Sequence, residues 1–261
     1  MRVQGYWADL KAPDFQDLPE DTIAILPLGA TEQHGAHLPV SVDATLVDAV
    51  LARSLPHWVE DTHALILPTL TVTKSNEHLN HPGTLTLSAR TLMAVIDEIG
   101  ASVARAGVKR LVMFNGHGGN TAVLEVACRE LRLEHGMITA HASWFGFSEP
   151  DGLIAPEDAA HDLHAGDIET AAMLAAREEL VDMSQAVDQP PKSRDWQANL
   201  KWTGLSGQAA RPAWRVDDLS PNGVCGDATA ATKENGEAYL DSAARNFADF
   251  LVEFAHFDPS H

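Results

Sequence analysis

Cysteine is scarce in this chain of 261 residues. Cys128 and Cys225 are the only two, far apart and outside any CxxC or zinc-ribbon spacing. A disulfide-stapled scaffold and a thiolate cluster are thereby excluded, and a reducing, cytoplasmic setting is the weak implication. Basic residues are few as well: 18 lysines and arginines stand against 37 acidic residues, a formal charge of −19. Nucleic acid and anionic membrane are therefore not expected partners, since both require a positive surface. The acidity itself needs no reason beyond solubility. No apolar run approaches the roughly 20 residues that span a bilayer, and Met1 to Tyr6 offers no apolar signal core. Neither GxGxxG nor a P-loop with its lysine occurs, so the glycine-rich stretches are not phosphate cradles.

What is present is an alternation of short apolar runs and helical patterns. Ile23 to Leu28 is nearly continuous, as in a strand buried on both faces. A helical face follows over residues 44–55, closed by Pro56. Ala64 to Leu67 reads as a second strand, and Ser88 caps an amphipathic helix over Ala89 to Arg105. Strands are expected at 110–114 and 137–142, and helices at 121–134 and 168–179. A last helix is expected from near Asp227 to about Phe254, with Gly236 as its weak point. Residues 1–21 read as an irregular edge segment. Residues 184–226 hold Pro190, Pro191, Pro212 and Pro221 with little periodicity; they are expected to cover a site or a subunit contact. The pattern predicts one α/β domain over 1–261, with a mainly parallel sheet covered on both faces.

In such a sheet ligands bind beyond the carboxyl ends of the strands. Metal-type donors gather in those places: Glu32 and His34 after the first strand, Asp43 at the next helix, His117 after the third strand, and His164 with Glu169 before a later helix. Each has a plain reading on its own. Asp43 or Asn120 could cap a helix, Glu169 could favour a helix's positive end, and His117 could be a turn residue. His37, His57, His63, His135 and His141 have no motif around them and read as ordinary histidines. Taken together, three carboxylates and two imidazoles form a donor set for Zn²⁺ or Mn²⁺, sufficient for two ions sharing one carboxylate.

The blocks LPLGATEQHGAHLPVSVD, NHPGT, LVMFNGHGGN, HAGDIETAAML and GDATAATKENGE occur in this order. With them the chain resembles the creatininase (creatinine amidohydrolase) family over nearly its whole length. The resemblance implies a three-layer α/β/α sandwich, metal-dependent hydrolysis, and a homo-oligomer such as the hexamers of many members. It carries Glu32, His34, Asp43 and His117 over as metal ligands, Asp43 as the bridge, and His164 as the catalytic histidine. Two departures stand out. Creatininase itself has a Glu-Asn pair after the loop histidine, that Glu being a ligand, where this chain has Gly119; Glu169 is then the candidate for the missing carboxylate. Its lid tryptophan is here Ala160, which puts creatinine in doubt as substrate, while Trp144 matches the other active-site tryptophan.

The expected reaction is hydrolysis of a small-molecule amide or cyclic amide. Two divalent ions, zinc first and manganese or iron as alternatives, would supply hydroxide for attack on the carbonyl. His164 would act as general acid/base, and His81 and Trp144 would help to shape the pocket. A formamide deformylase or a peptidase of a modified peptide is the alternative within the family. A non-catalytic metal-binding protein is the alternative outside it.

Overall fold

A computed structural model describes residues 3–149, 152–205 and 207–259; the ends of the expected 1–261 domain lie outside them. Five parallel strands form the central sheet: β1 (Gln4–Tyr6), β2 (Ile23–Leu28), β3 (Ala64–Ile66), β4 (Arg110–Asn115) and β5 (Ile138–Ser143), in the order β1-β3-β2-β4-β5. Every residue of β2, the middle strand, is buried, which is why its sequence is an unbroken apolar run rather than an alternation.

The main helices are α1 (Val42–Ser54), α2 (Ala89–Arg105) and α3 (Thr121–His135), then, after the short α4 (Pro156–Ala159), α5 (Asp167–Arg177). Two short helices, α6 (Ser193–Asn199) and α7 (Val216–Leu219), precede the long α8 (Lys233–His256). On one face α1, α5 and α8 pack a core with Leu46, Met173 and Phe247; on the other, α2 and α3 pack Ile96 and Leu124. Three layers result, as expected. The chain leaves β2 toward β3 through α1, on one face, and leaves β4 toward β5 through α3, on the other. The strand order therefore reverses between β2 and β4, and a crevice opens beyond their carboxyl ends.

Several boundaries differ from the sequence expectation. The first 21 residues contain an edge strand, β1, which is too short to show a period. Residues 184–226 are not wholly irregular. They hold α6 and α7, and β6 (Asp188–Gln189) pairs antiparallel with β7 (Gly226–Asp227). The last helix begins at Lys233 rather than Asp227, because the Thr232 side chain accepts from Asn235 N and caps it there. Gly236 is not a weak point either: a Cβ would fall on the Ala171 carbonyl, so the glycine lets α8 press against α5. Among the described residues no helix is long and apolar enough to cross a membrane.

Candidate metal centre

The reversal crevice is filled by the first turn of α1. Gly29 at the end of β2 and Gly116 at the end of β4 flank it, and a Cβ on Gly29 would overlap the Ala44 backbone, one on Gly116 the Asp43 carbonyl. The two glycines thus admit the helix between the strand ends. Asp43 is the second residue of α1, not its cap, and it is thrust among Glu32 and His34 from the segment after β2 and His117 from the segment after β4.

Two triads share it. Glu32, Asp43 and His117 offer ligand atoms within 4.8 Å of one another, and so do His34, Asp43 and Glu169. Asp43 divides its oxygens between them: Oδ1 lies 3.4 Å from His34 Nε2, and Oδ2 lies 3.6 Å from His117 Nδ1. Glu32 Oε1 is 3.2 Å from His117 Nδ1, and Glu169 Oε2 is 3.7 Å from His34 Nε2. The outer nitrogens are held by carbonyls, His34 Nδ1 by Glu32 O at 3.1 Å and His117 Nε2 by Lys74 O at 3.0 Å. With protons assigned to those hydrogen bonds, both inner nitrogens present lone pairs to the crevice.

Buried polar atoms are ordinarily hydrogen-bonded. Glu32 Oε1, His34 Nε2 and Asp43 Oδ2 are buried here without a hydrogen-bond partner, and each points into a triad. The charges agree. Burial would raise the Glu32 carboxyl, yet His117, His164 and His78 hold it well below the usual range. Burial would lower His34, but Asp43 and Glu169 raise it well above its ordinary value. Glu169 is held at about 2 against burial by His34, while burial and the Glu32 charge push Asp43 up to about 6. Carboxylates this dry demand positive charge. Imidazolium can supply it; a divalent cation would supply it with the imidazoles neutral, as ligands require. The donor set fits such an ion.

A family model described as creatinine amidohydrolase matches residues 8–251. The chain belongs to the creatininase family. It is 31% identical to the creatinine amidohydrolase of Pseudomonas putida, covering 89% of this chain and 90% of that protein. Identity to the mycofactocin precursor peptide peptidase of Mycobacterium ulcerans (strain Agy99) is 32%, over 81% and 77% of the two chains. A crystal structure of creatininase superposes with a TM-score of 0.73 at 27% identity, covering 97% and 98%. As a creatininase-family amidohydrolase, the protein is a hydrolase of carbon–nitrogen bonds.

Family membership directs attention to the loop before α5. His164 is buried beside the first triad, its Nδ1 3.6 Å from Glu32 Oε1 and its Nε2 2.7 Å from the Gln33 carbonyl. Burial and the neighbouring His34 and His78 push its pKa down to about 3. His78 is the residue that sequence reasoning missed. Its ring centroid lies 4.4 Å from that of His164, its Nε2 3.6 Å from Glu32 Oε1, and Gln33 Nε2 is 3.0 Å from its Nδ1. The stretch NEHLNH reads as a polar loop, and only the fold lays it over the crevice. His37 is a core histidine, bonded to Thr170.

Trp144 and His81 are not drawn into the cluster. Trp144 is fully buried in the core and stacked on Phe145 at 4.1 Å, with its indole N–H unpartnered. His81 lies 3.0 Å from Asp217. Among the described residues neither has a hydrogen bond or ion pair to the triads.

Proposed function

We propose that the crevice is a two-metal centre that hydrolyses an amide or cyclic amide bond of a small molecule. Glu32, Asp43 and His117 hold one ion; His34, Asp43 and Glu169 hold the other. The division of Asp43's two oxygens between the triads is the observation that carries this reading. Two divalent ions held there, zinc by preference and manganese or iron as alternatives, would acidify a water and take up oxyanion charge.

His164 is the proton carrier. Its Nε2–H bond to Gln33 O leaves Nδ1 facing the crevice, neutral at pH 7, where it can take a proton and return it to the leaving nitrogen. Such a group contributes about 10²–10⁴ in rate. A part for Trp144 and His81 in the substrate pocket rests on the family resemblance alone, since Trp144 is packed in the core and His81 pairs with Asp217. Cytoplasmic location and assembly into a homo-oligomer, as a hexamer, belong to the same reading; light scattering tests the assembly.

A second reading, cleavage of an amide in a modified peptide, is supported by the 32% identity to a peptidase. The deciding experiment loads the protein with Zn²⁺ or Mn²⁺ and screens creatinine, linear and cyclic amides, formamides and peptides. The expected result is two ions per chain and turnover of one class, with His164→Ala keeping the ions and losing about 10²–10⁴ in kcat. Two bound ions with no amide cleaved would leave a non-catalytic metal-binding protein instead.

A further inference from the structure

The loop between β3 and α2 carries a carboxylate that neither triad uses. The Glu77 side chain is buried, and its Oε1 lies 3.4 Å from His117 Nε2, at the opposite ring nitrogen from the one that meets Glu32 and Asp43. Its Oε2 accepts from Lys74 Nζ at 2.6 Å, which fixes the carboxylate from behind. The Lys74 carbonyl lies against the same His117 nitrogen. A proton on Nε2 is therefore donated to the carbonyl, with the carboxylate 3.4 Å away beside it, and the lone pair stays on Nδ1.

Gly119 makes the room. A Cβ there would fall on both Glu77 Oε1 and His117 Nε2. Its backbone does not require glycine, since it is not among the positive-φ residues. What glycine supplies is the space in which Glu77 reaches the ring. Among the described residues His34 has no such carboxylate behind it; its outer nitrogen meets the Glu32 carbonyl.

We propose that Glu77 is the positioning residue of His117, fixing its tautomer and raising its basicity as a ligand, and that Gly119 exists to admit it. The proposal rests on the reading of Glu32, Asp43 and His117 as a metal triad. A carboxylate behind a ligating imidazole is worth about 10–100-fold in metal affinity. Here that gain falls on one ion only, so the two ions are bound unequally. The same loop supports the other ligand, because Ser75 Oγ donates to Glu32 Oε2.

The test is calorimetric titration of the metal-free full-length protein with Zn²⁺. In Glu77→Ala one of the two ions is expected to weaken by about 10–100-fold, the other staying close to wild type. Glu77→Gln, which keeps an acceptor oxygen and loses the charge, should fall between the two. Gly119→Ala, whose added methyl meets both Glu77 Oε1 and His117 Nε2, should weaken the same ion at least as much as Glu77→Ala does. In the zinc-loaded protein the His117 Nε2–H proton resonance should move upfield in Glu77→Gln, while that of His34 stays in place. Wild-type isotherms in folded Glu77→Ala and Gly119→Ala, with the His117 resonance unmoved in Glu77→Gln, would overturn the assignment. A wild-type protein that takes up no pair of ions would overturn the metal-centre reading instead.

Discussion

The two triads that meet at Asp43 are built by different means. The first draws Glu32 and His117 from the segments that follow adjacent strands, whose register pairs Leu28 with Asn115 and is closed by Gly116 N on Leu28 O at 2.8 Å. Its geometry is set by the sheet. The second reaches across to α5 for Glu169 through the loop 161–167. There Ala165 adopts φ 55°, in the left-handed region that costs a non-glycine residue of order 1–3 kcal/mol. Its N–H donates to Glu169 Oε2 at 2.6 Å, so the strained turn and the carboxylate hold each other. One ion would sit on ligands set by the sheet and α1 alone, the other would also need α5, whose entry turn carries local strain. The loop also carries His164, whose ring it places back beside Glu32 of the first triad.

The largest test of this pairing is Asp43→Asn. If Asp43 is common to both triads, neither ion should be retained at stoichiometric level. Activity should then drop by at least about 10²–10³-fold, the cost of a single electrostatic group in other active sites. Elemental analysis beside kinetics checks it; retention of one ion at full occupancy would mean that the triads are not joined through this residue. Gly116→Ala asks the same question of the scaffold. The added methyl meets the Asp43 carbonyl and Val47, so α1 must back out of the crevice at about 1–3 kcal/mol, the usual cost of overpacking. Denaturant unfolding should show that loss, with the first triad's ion weakened more than the second's. An unchanged midpoint would mean that α1 is not held as tightly as the geometry implies.

The same division explains what was legible in the sequence. Glu32, His34 and His117 follow apolar runs directly, and a run that stops at metal donors is a local signal. The sheet shares that clarity, since buried parallel strands write themselves as continuous apolar stretches such as Ile23 to Leu28. Glu169 stood out only as one donor among several and took its place as a ligand through the family resemblance, because its partner His34 is 135 positions away and nothing local links them. His78 and Glu77 were not legible. Both lie in a polar loop whose value comes from where β3 delivers it. Gly236 was misread for a related reason: helix propensity describes an isolated helix, whereas α5 decides what α8 can carry at that position.

The loop that leads into α5 and its Glu169 should also respond to pH, in a way the strand ends of the first triad do not. Asp162 closes that loop by accepting from Ile168 N at 2.8 Å at the start of α5, while its Oδ1 is buried and unpartnered. Burial first, and then the charges of Glu169 and Asp167, push its pKa from 3.8 up to about 7. A carboxyl raised in the folded state contributes fully at pH below its unfolded value, where both states hold the proton. As pH climbs from about 4 to 7 the unfolded chain releases that proton and the folded chain does not, so stability falls across this window. Asp162→Asn keeps an acceptor for Ile168 N and removes the titration. Thermal midpoints of wild type and variant, taken on metal-free protein between pH 4 and 8, should therefore separate, with the wild type losing ground as pH rises. Glu169 bends the curve the other way, since its contribution is present above 4.5 and lost toward about 2, and it does so equally in both proteins. The difference between them isolates Asp162. Two parallel curves would show that the loop tolerates the charge, and that strain at Ala165 rather than buried acidity is what sets the second triad apart.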